Sequence, residues 1–513
     1  MGSDTYFKKY LQKSLIGKGL DIMESAIRPE FKILRSITIE GVIKEAKDIL
    51  HVLGFYLENR EALELLDATG AKIDEKSHRV FLPQDMVERA IETAPSTICL
   101  YDTGGAKVVE LGGDTICFDP GSAALNILDP ETKEIRSALT PDFVAFSKVV
   151  DQLEHIRAQS TAMICSDVPQ GMADSYRLYL ALLYSKKPVV TGTFAKESFN
   201  LMREMLVAVR GSSEALKQKP LAIFDACPSP PLKWSDLTCQ SLIDAARAGI
   251  PSEFVSMPLT GATAPITLLG AIVQHAAETL AGLVISQTAQ AGAPVIWGGS
   301  PSAFDMRHGT TPMGSIDTML IDLGYAEIGK YLNFPTHAYM GMSDAKLLDA
   351  QSGLESAMGS LLSGIKGINM ISGAGMLNFE STQSIQKLVI DNEICGMTYK
   401  FLQGISQRDE PIALDLLKTL IRDQQLLDHE HTLKWFKTEH FLPSQVIDRS
   451  NFDDWHRHGK TSIGQRALAR AKELIAQYPG ISLKPGIQKE LTGIVRKEAE
   501  KLGLSALPEP ESQ

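Results

Sequence analysis

Cysteine is sparse in this chain and never paired. The six cysteines among 513 residues (Cys99, Cys117, Cys165, Cys227, Cys239 and Cys395) form no C-x-x-C. Neither a disulfide framework nor a cysteine zinc site is indicated, and reduced buried thiols of a cytoplasmic protein are the expectation. H-E-x-x-H and H-x-x-E-H spacings are missing, as are a Walker-type phosphate loop and a Rossmann fingerprint. No metal site is therefore expected. Basic charge is in deficit: 51 Lys and Arg stand against 62 Asp and Glu, a net charge of -11. That balance argues against non-specific nucleic-acid binding. No apolar run of membrane-spanning length is read, because the least polar stretch, Leu259 to Val273, is interrupted by Thr260, Gly261, Thr263 and Pro265. The opening M-G-S-D-T-Y lacks the apolar centre of a signal peptide, and Tyr6 occupies the place where a myristoylation site carries Ser or Thr. The expectation is a cytoplasmic protein with no membrane partner.

What is present is a rhythm. Hydrophobic residues make up 44% of the chain, enough for a large core. From Thr115 short apolar segments alternate with amphipathic helices. The segments are T-I-C-F-D-P-G-S, I-R-A-Q-S-T-A-M-I, P-V-V-T-G-T-F, L-A-I-F-D-A-C, P-S-E-F-V-S-M, P-V-I-W-G-G-S, P-T-H-A-Y-M-G and N-M-I-S-G-A-G. Helices are expected to begin near Pro141, Met172, Lys196, Ser235, Ile266, Gly314 and Lys346, with a last one over Ser381 to Phe401. About eight such units predict an α/β fold, a (β/α)8 TIM barrel. The periodicity assigns 1–114 to a mainly helical N-terminal region packed on the barrel. It assigns 115–405 to the barrel and 406–513 to a helical C-terminal extension. Within the first region, helices are predicted over Ile39–Leu53, Arg60–Ala68 and from Pro83 to Ala94, and a hairpin over Ala71–Leu82. A second hairpin is predicted over Leu125–Leu139, turning at Asp129-Pro130.

Barrel enzymes place their sites at the C-terminal ends of the strands. The richest such ends lie between Ala293 and Lys346. Arg307 and His308 either brace the rim through salt bridges or clamp a substrate carboxylate, which guanidinium and imidazole donors suit. His337 and Tyr339 alternate on one strand and so share a side. Trp297 and Phe304 are either core or part of an aromatic cage for a quaternary ammonium, which needs ring faces because it cannot donate a hydrogen bond. Gly298, Gly299, Gly373 and Gly375 either shape the loops or admit close approach of a ligand. The string D-W-H-R-H-G at Asp454 to Gly459 matches a D-x-H-x-x-G pattern that ligates corrinoids. It lacks the α/β domain such a ligand needs, and His429-Glu430-His431 reads as a solvated face.

Several blocks carry a family resemblance. They are F-D-P-G-S-A at 118–123, M-R-H-G-T-T-P-M-G at 306–314, S-D-A-K-L-L-D-A-Q-S-G at 343–353, I-S-G-A-G at 371–375 and L-V-I-D-N-E-I at 388–394. In these the chain resembles the trimethylamine methyltransferase superfamily. The resemblance implies a TIM barrel that passes a methyl group from a methylated amine to the Co(I) corrinoid (cobalamin) of a separate small protein. No cofactor is then held tightly by the chain itself. Founding members carry pyrrolysine just before the S-D-x-K block, where this chain has Met342. That departure implies the non-pyrrolysine branch, acting on quaternary amines such as glycine betaine. By this resemblance Trp297, Phe304, Arg307, His308, His337, Tyr339 and Met342 would line the substrate, and Gly298, Gly299, Gly373 and Gly375 would face the corrinoid. Other methyl donors (tertiary amine, methoxy or sulfonium) and a non-catalytic amine-binding barrel are the alternatives. A homo-oligomer is expected from the apolar barrel helices.

Overall fold

Eight short strands, each followed by a helix, organise the structure, a computed structural model that describes residues 26–508. The strands are β1 (Cys117–Pro120), β2 (Gln159–Ser160), β3 (Val189–Thr191), β4 (Ala222–Ala226), β5 (Ser252–Phe254), β6 (Val295–Ile296), β7 (His337–Tyr339) and β8 (Met370–Ala374). The helices are α1 (Thr140–Gln152), α2 (Ala173–Tyr184), α3 (Ser198–Arg210), α4 (Asp236–Ala248), α5 (Leu268–Ala289), α6 (Ile316–Tyr331), α7 (Ala350–Lys366) and α8 (Ile385–Leu402). Strands β2 to β6 pair in parallel, in chain order, as one sheet; β7, β8 and β1 pair in parallel as another. Hydrogen bonds link the two sheets at both edges. Trp297 N donates to Pro335 O at 2.8 Å and His337 N to Trp297 O at 3.0 Å, while Arg157 N donates to Phe118 O at 3.0 Å.

Local chemistry sets where helices start. Ser235 and Ser315 cap α4 and α6 by accepting from Thr238 N and Ser315's third successor, Thr318 N, and Asp349 caps α7 by accepting from Gln351 N and Ser352 N. The cap at Asp349 explains why α7 starts at Ala350 and not at the expected Lys346. Residues 343–346 are held outside the helix: Glu355 Oε2 accepts from Ser343 Oγ at 2.6 Å and from Asp344 N at 2.8 Å.

Below the strand starts lies a hairpin that the periodicity reading did not anticipate, Ile98–Tyr101 paired antiparallel with Lys107–Leu111. Its Ile98, Leu100, Val109 and Leu111 form one apolar cluster with Cys117, Ala158, Val190, Ile223, Ile296 and Met370. The last six come from or border six different strands, so the hairpin seals that end.

The N-terminal helices Ser36–Val52, Arg60–Ala68 and Gln84–Thr93 form as the sequence predicts, as do the hairpins Lys72–Asp74/Arg79–Phe81 and Asn126–Leu128/Ile135–Ser137. Ser36–Val52 packs against α5. That helix corrects the reading of membrane-length runs. Leu268–Ala289 is long and apolar enough to cross a bilayer, but 78% of its apolar window is buried inside the fold, and it is the one such helix among the described residues.

The chain divides into two compact units, Glu30–Tyr399 with Leu442–Gln513, and Met1–Pro29 with Lys400–Phe441. The larger unit contains all eight strands. Its helices Ile463–Ala476 and Pro485–Lys501 pack on α1 and on α2 and α3 respectively. The smaller unit has two described helices beyond Leu402, Leu414–Asp423 and Glu430–Glu439, and buries Trp435 beneath Arg408 and Lys434.

Candidate active site at the strand ends

Side chains on a strand alternate sides. Two residues beyond the apolar cluster at Cys117, Val190, Ile223, Ile296 and Met370 come Asp119, Gly192, Asp225, Gly298 and Ser372. One step along the strands, the interior changes from hydrocarbon to carboxyl.

This second layer is built around four side chains in line. Ser372 Oγ donates to Asp119 Oδ1 at 2.6 Å; His337 Nε2 lies 3.0 Å from Ser372 Oγ; His337 Nδ1 lies 3.3 Å from Glu253 Oε1. Asp225 stands opposite Glu253 in register on β4 and β5. Asp119, Glu253, His337 and Ser372 are all essentially without solvent exposure. Desolvation therefore dominates their ionisation. It pushes the Asp119 and Glu253 carboxyls well above the usual range, with Asp225 adding repulsion to both, and it holds His337 neutral by lowering it to about 3. Asp225 is pushed up to about 7 by desolvation, partly offset by Arg177. Two neighbouring buried carboxyls cannot both ionise cheaply, so at most one of Asp225 and Glu253 carries a charge.

Arg177, on α2, is the buried cation of this layer. Its Nη1 donates to Thr161 O at 2.9 Å and Nη2 to Gly192 O at 3.3 Å, while its Nε finds no partner. Phe194 covers the guanidinium at 4.3 Å. Tyr339 stands edge-on to His337, ring centroids 4.8 Å apart. Glu380 completes the set, pushed up to about 7 by desolvation and then by Asp344, with Ser300 Oγ 3.5 Å away. It arrives on three consecutive left-handed residues, Asn378, Phe379 and Glu380 (φ 52°, 56° and 64°). Such backbone costs about 1–2 kcal/mol per residue, and Lys346 Nζ, 3.8 Å over the Phe379 ring, helps hold it.

The sequence blocks turn out to bind one another. Asp119 of the first block meets Ser372 of the fourth. Asp344 of the third accepts from Met313 N at 3.0 Å and Gly314 N at 2.8 Å of the second. Asp391 of the fifth accepts from Gly375 N at 2.7 Å and from Lys387 Nζ at 2.6 Å. Residues far apart in the chain are thus tied around one rim.

The family model for trimethylamine methyltransferase (MTTB) matches residues 16–503. The chain belongs to this family. It is 32% identical over 458 residues to the trimethylamine methyltransferase MttB of Desulfitobacterium hafniense (strain DSM 10664 / DCB-2), covering 89% of this chain and 92% of that one. It is 28% identical over 477 residues to the glycine betaine methyltransferase of Desulfitobacterium hafniense (strain Y51), covering 93% and 98%. Among solved structures, the monomethylamine methyltransferase MtmB of Methanosarcina barkeri aligns over 93% of this chain and 90% of that one, at 12% identity and a TM-score of 0.49. Membership of the MTTB family makes the protein an enzyme, a methyltransferase.

Against the residues expected of an MTTB-family site, the structure separates two groups. His337 and Tyr339 lie in the carboxyl layer. Met342 is buried in the wall one turn of chain beyond them, its Cβ where a side chain on Gly373 would fall, at 2.8 Å. Trp297 points the other way: its Nε1 donates to Tyr325 O of α6 at 3.0 Å and its ring stacks on Phe334 at 6.0 Å. It is packing between strand and helix, because its neighbour Gly298 takes the inward position. Arg307 and His308 are exposed and already paired, both reaching Asp305 Oδ2, at 2.7 and 3.3 Å. With Phe304, Arg307 lines an outer hollow of about 390 Å³. The four glycines are close-packed by protein: a Cβ on Gly298 would lie 2.7 Å from His337 Nδ1, on Gly299 2.5 Å from His275 Nε2, and on Gly375 2.6 Å from Gln383 Oε1. Among the described residues no cluster of three or more His, Cys, Asp or Glu is placed to hold a metal ion. His456 and His458 of the D-x-H-x-x-G string flank the end of a six-residue helix, Phe452–Arg457, at the exposed surface.

Sequence reasoning missed Arg177 and Glu380 and quoted Asp119, Asp225, Glu253 and Ser372 only as parts of longer segments. A usable signal existed. Asp225 and Glu253 are acids inside apolar strand segments, where an acid is expensive unless it has work to do.

Proposed function

We propose that this enzyme takes a methyl group from a quaternary amine of the betaine type and passes it to the Co(I) corrinoid of a separate protein. We read the eight strands, with their bridging hydrogen bonds, as a closed (β/α)8 barrel whose carboxyl layer seats the ammonium. The observation that carries this is Glu253, a fully buried carboxyl with no hydrogen-bond donor on either oxygen, 3.3 Å from His337 Nδ1 in the layer that also holds the Tyr339 ring. A fixed cation that donates no hydrogen bond is the natural counterpart of such a group. The 28% identical relative named for glycine betaine and the methionine at position 342 favour a quaternary over a tertiary amine.

The chemistry asked of the chain is modest. A quaternary nitrogen leaves as a neutral tertiary amine and keeps the electron pair of the broken C–N bond, so no general acid is required. The chain must orient one N-methyl toward the opening and keep water away. Arg177, with its unused Nε, is placed to take the substrate carboxylate in the inner layer. Arg307 lines the outer hollow, and using it with His308 as a clamp means parting both from Asp305. The acceptor is a co-substrate that we place on the strand-end side, and a cytoplasmic location suits such a partnership.

Purified enzyme mixed with glycine betaine, carnitine, tetramethylammonium or trimethylamine and chemically reduced cobalamin tests the reading. Formation of methyl-Co(III) and the demethylated amine with a quaternary compound is expected. Turnover with trimethylamine alone would replace it by the activity named for the 32% identical relative.

A further inference from the structure

The line Asp119–Ser372–His337–Glu253 has a property beyond seating a cation. Ser372 gives its only proton to Asp119, so its oxygen can only accept from His337 Nε2, which then carries the ring proton. That leaves Nδ1 bare, facing Glu253 Oε1 at 3.3 Å. Both atoms are fully buried and neither has another partner. Two lone pairs at that distance are satisfied together only if a proton stands between them, and with Nδ1 bare it must come from Glu253. The mirror arrangement is equally complete. With the proton on Asp119, every bond reverses: Asp119 donates to Ser372, Ser372 to Nε2, and Nδ1–H to an ionised Glu253.

We propose that these four residues form a two-state proton wire that converts Glu253 from a neutral acid into a carboxylate when a quaternary ammonium is seated beside it. The inference rests on the amine reading above. Cation binding favours the state with charge on Glu253, so each proton in the line hops one place and one proton ends on Asp119. The line holds one negative charge throughout, on Asp119 before binding and on Glu253 after it, so no proton enters or leaves. When the methyl departs, the amine is neutral, the counter-charge faces nothing, and the hops reverse. Glu253 becomes neutral again and the hold on the product weakens. The site thus binds the charged substrate and lets go of the uncharged product with the same side chains.

Other charged groups facing the wire set its bias. Asp225 on β4 opposes charge on Glu253 and on Glu380 beyond β8, Asp119 opposes charge on Glu253 from the other end of the line, and Arg177 on α2 favours charge at Asp225. Cys227 and Tyr339 stay neutral, because burial raises both. Among these, the wire is the route that needs no charge to cross to solvent.

The wire is read from the nitrogen resonances of His337 in ¹⁵N-histidine-labelled enzyme, assigned with His337→Gln. Tetramethylammonium is the charged probe, and 3,3-dimethylbutan-1-ol, which carries the same branched head with carbon in place of the charged nitrogen, is the neutral control. The expected result is the Nε2–H tautomer in the free enzyme and with the alcohol, switching to Nδ1–H with tetramethylammonium. Ser372→Ala interrupts the line and is expected to weaken tetramethylammonium about tenfold with no change for the alcohol, its thermal melt showing that it folds. Tetramethylammonium binding with no change of tautomer would overturn the wire and leave the amine reading standing. Failure of tetramethylammonium and glycine betaine to bind at all would overturn both.

Discussion

Two layers of the same strands, one residue pair apart, are both sealed from solvent and behave in opposite ways. The lower layer, with Cys117, Val190, Ile223, Ile296 and Met370 closed by the hairpin, is apolar and carries no ionised group. Burial there stabilises the fold, roughly 25 cal/mol for each Å² removed from water. The upper layer, with Asp119, Asp225, Glu253 and His337, opposes folding by desolvation and like charge. A protein holds stability in one place so that it can carry a costly site directly above it. The division is clean because strand geometry allows a complete change of character within one alternation.

The sharpest way to break this comparison is to change one residue in each layer. Glu253→Gln keeps the volume and removes the charge, and we expect at least about a hundredfold loss in kcat/KM for a quaternary amine with little change in melting temperature. Ile223→Ala should do the reverse, costing about 2–5 kcal/mol of stability while the surviving folded enzyme keeps its affinity for the amine. If denaturant titration and kinetics give the two variants the same profile, the layers are not distinct.

A third test uses pH. Asp225 titrates near 7 in the fold and from a reference of 3.8 when unfolded, so the folded state binds more protons between those values and stability from this group falls as pH rises through that window. Asp225→Asn should therefore raise the melting temperature at pH 8 and leave it nearly unchanged at pH 4. The smallest effect is expected at the rim. Arg307 pairs with Asp305 in the open, and Arg307→Ala should leave the melting temperature almost unchanged. A large rise in KM for betaine but not for tetramethylammonium would instead return Arg307 to the role of carboxylate clamp.

The strand–helix alternation was legible because eight segments carry β-type apolar runs between clear helix starts. Asp129 with its turn and Ser235 with its cap announced themselves by residue type alone. The Ile98–Leu111 hairpin is less legible although its D-T-G-G turn is plain, because each strand is only four or five residues long and gives a period of two little length in which to show. Trp297 shows the other limit. An aromatic at a strand end can face the helix layer or the interior, and only register with Gly298 and Thr336 decides which. Arg177 was invisible for a related reason: it comes from a helix, and nothing in A-D-S-Y-R-L-Y-L says that its head group reaches back over two strands.

The sealing hairpin has a kinetic corollary under the proposed function. With the far end stoppered, the amine has a single doorway, and the acceptor protein must come to that same threshold. Amine first and acceptor second is then the compulsory order of addition, and the tertiary amine cannot depart until the acceptor has stepped back.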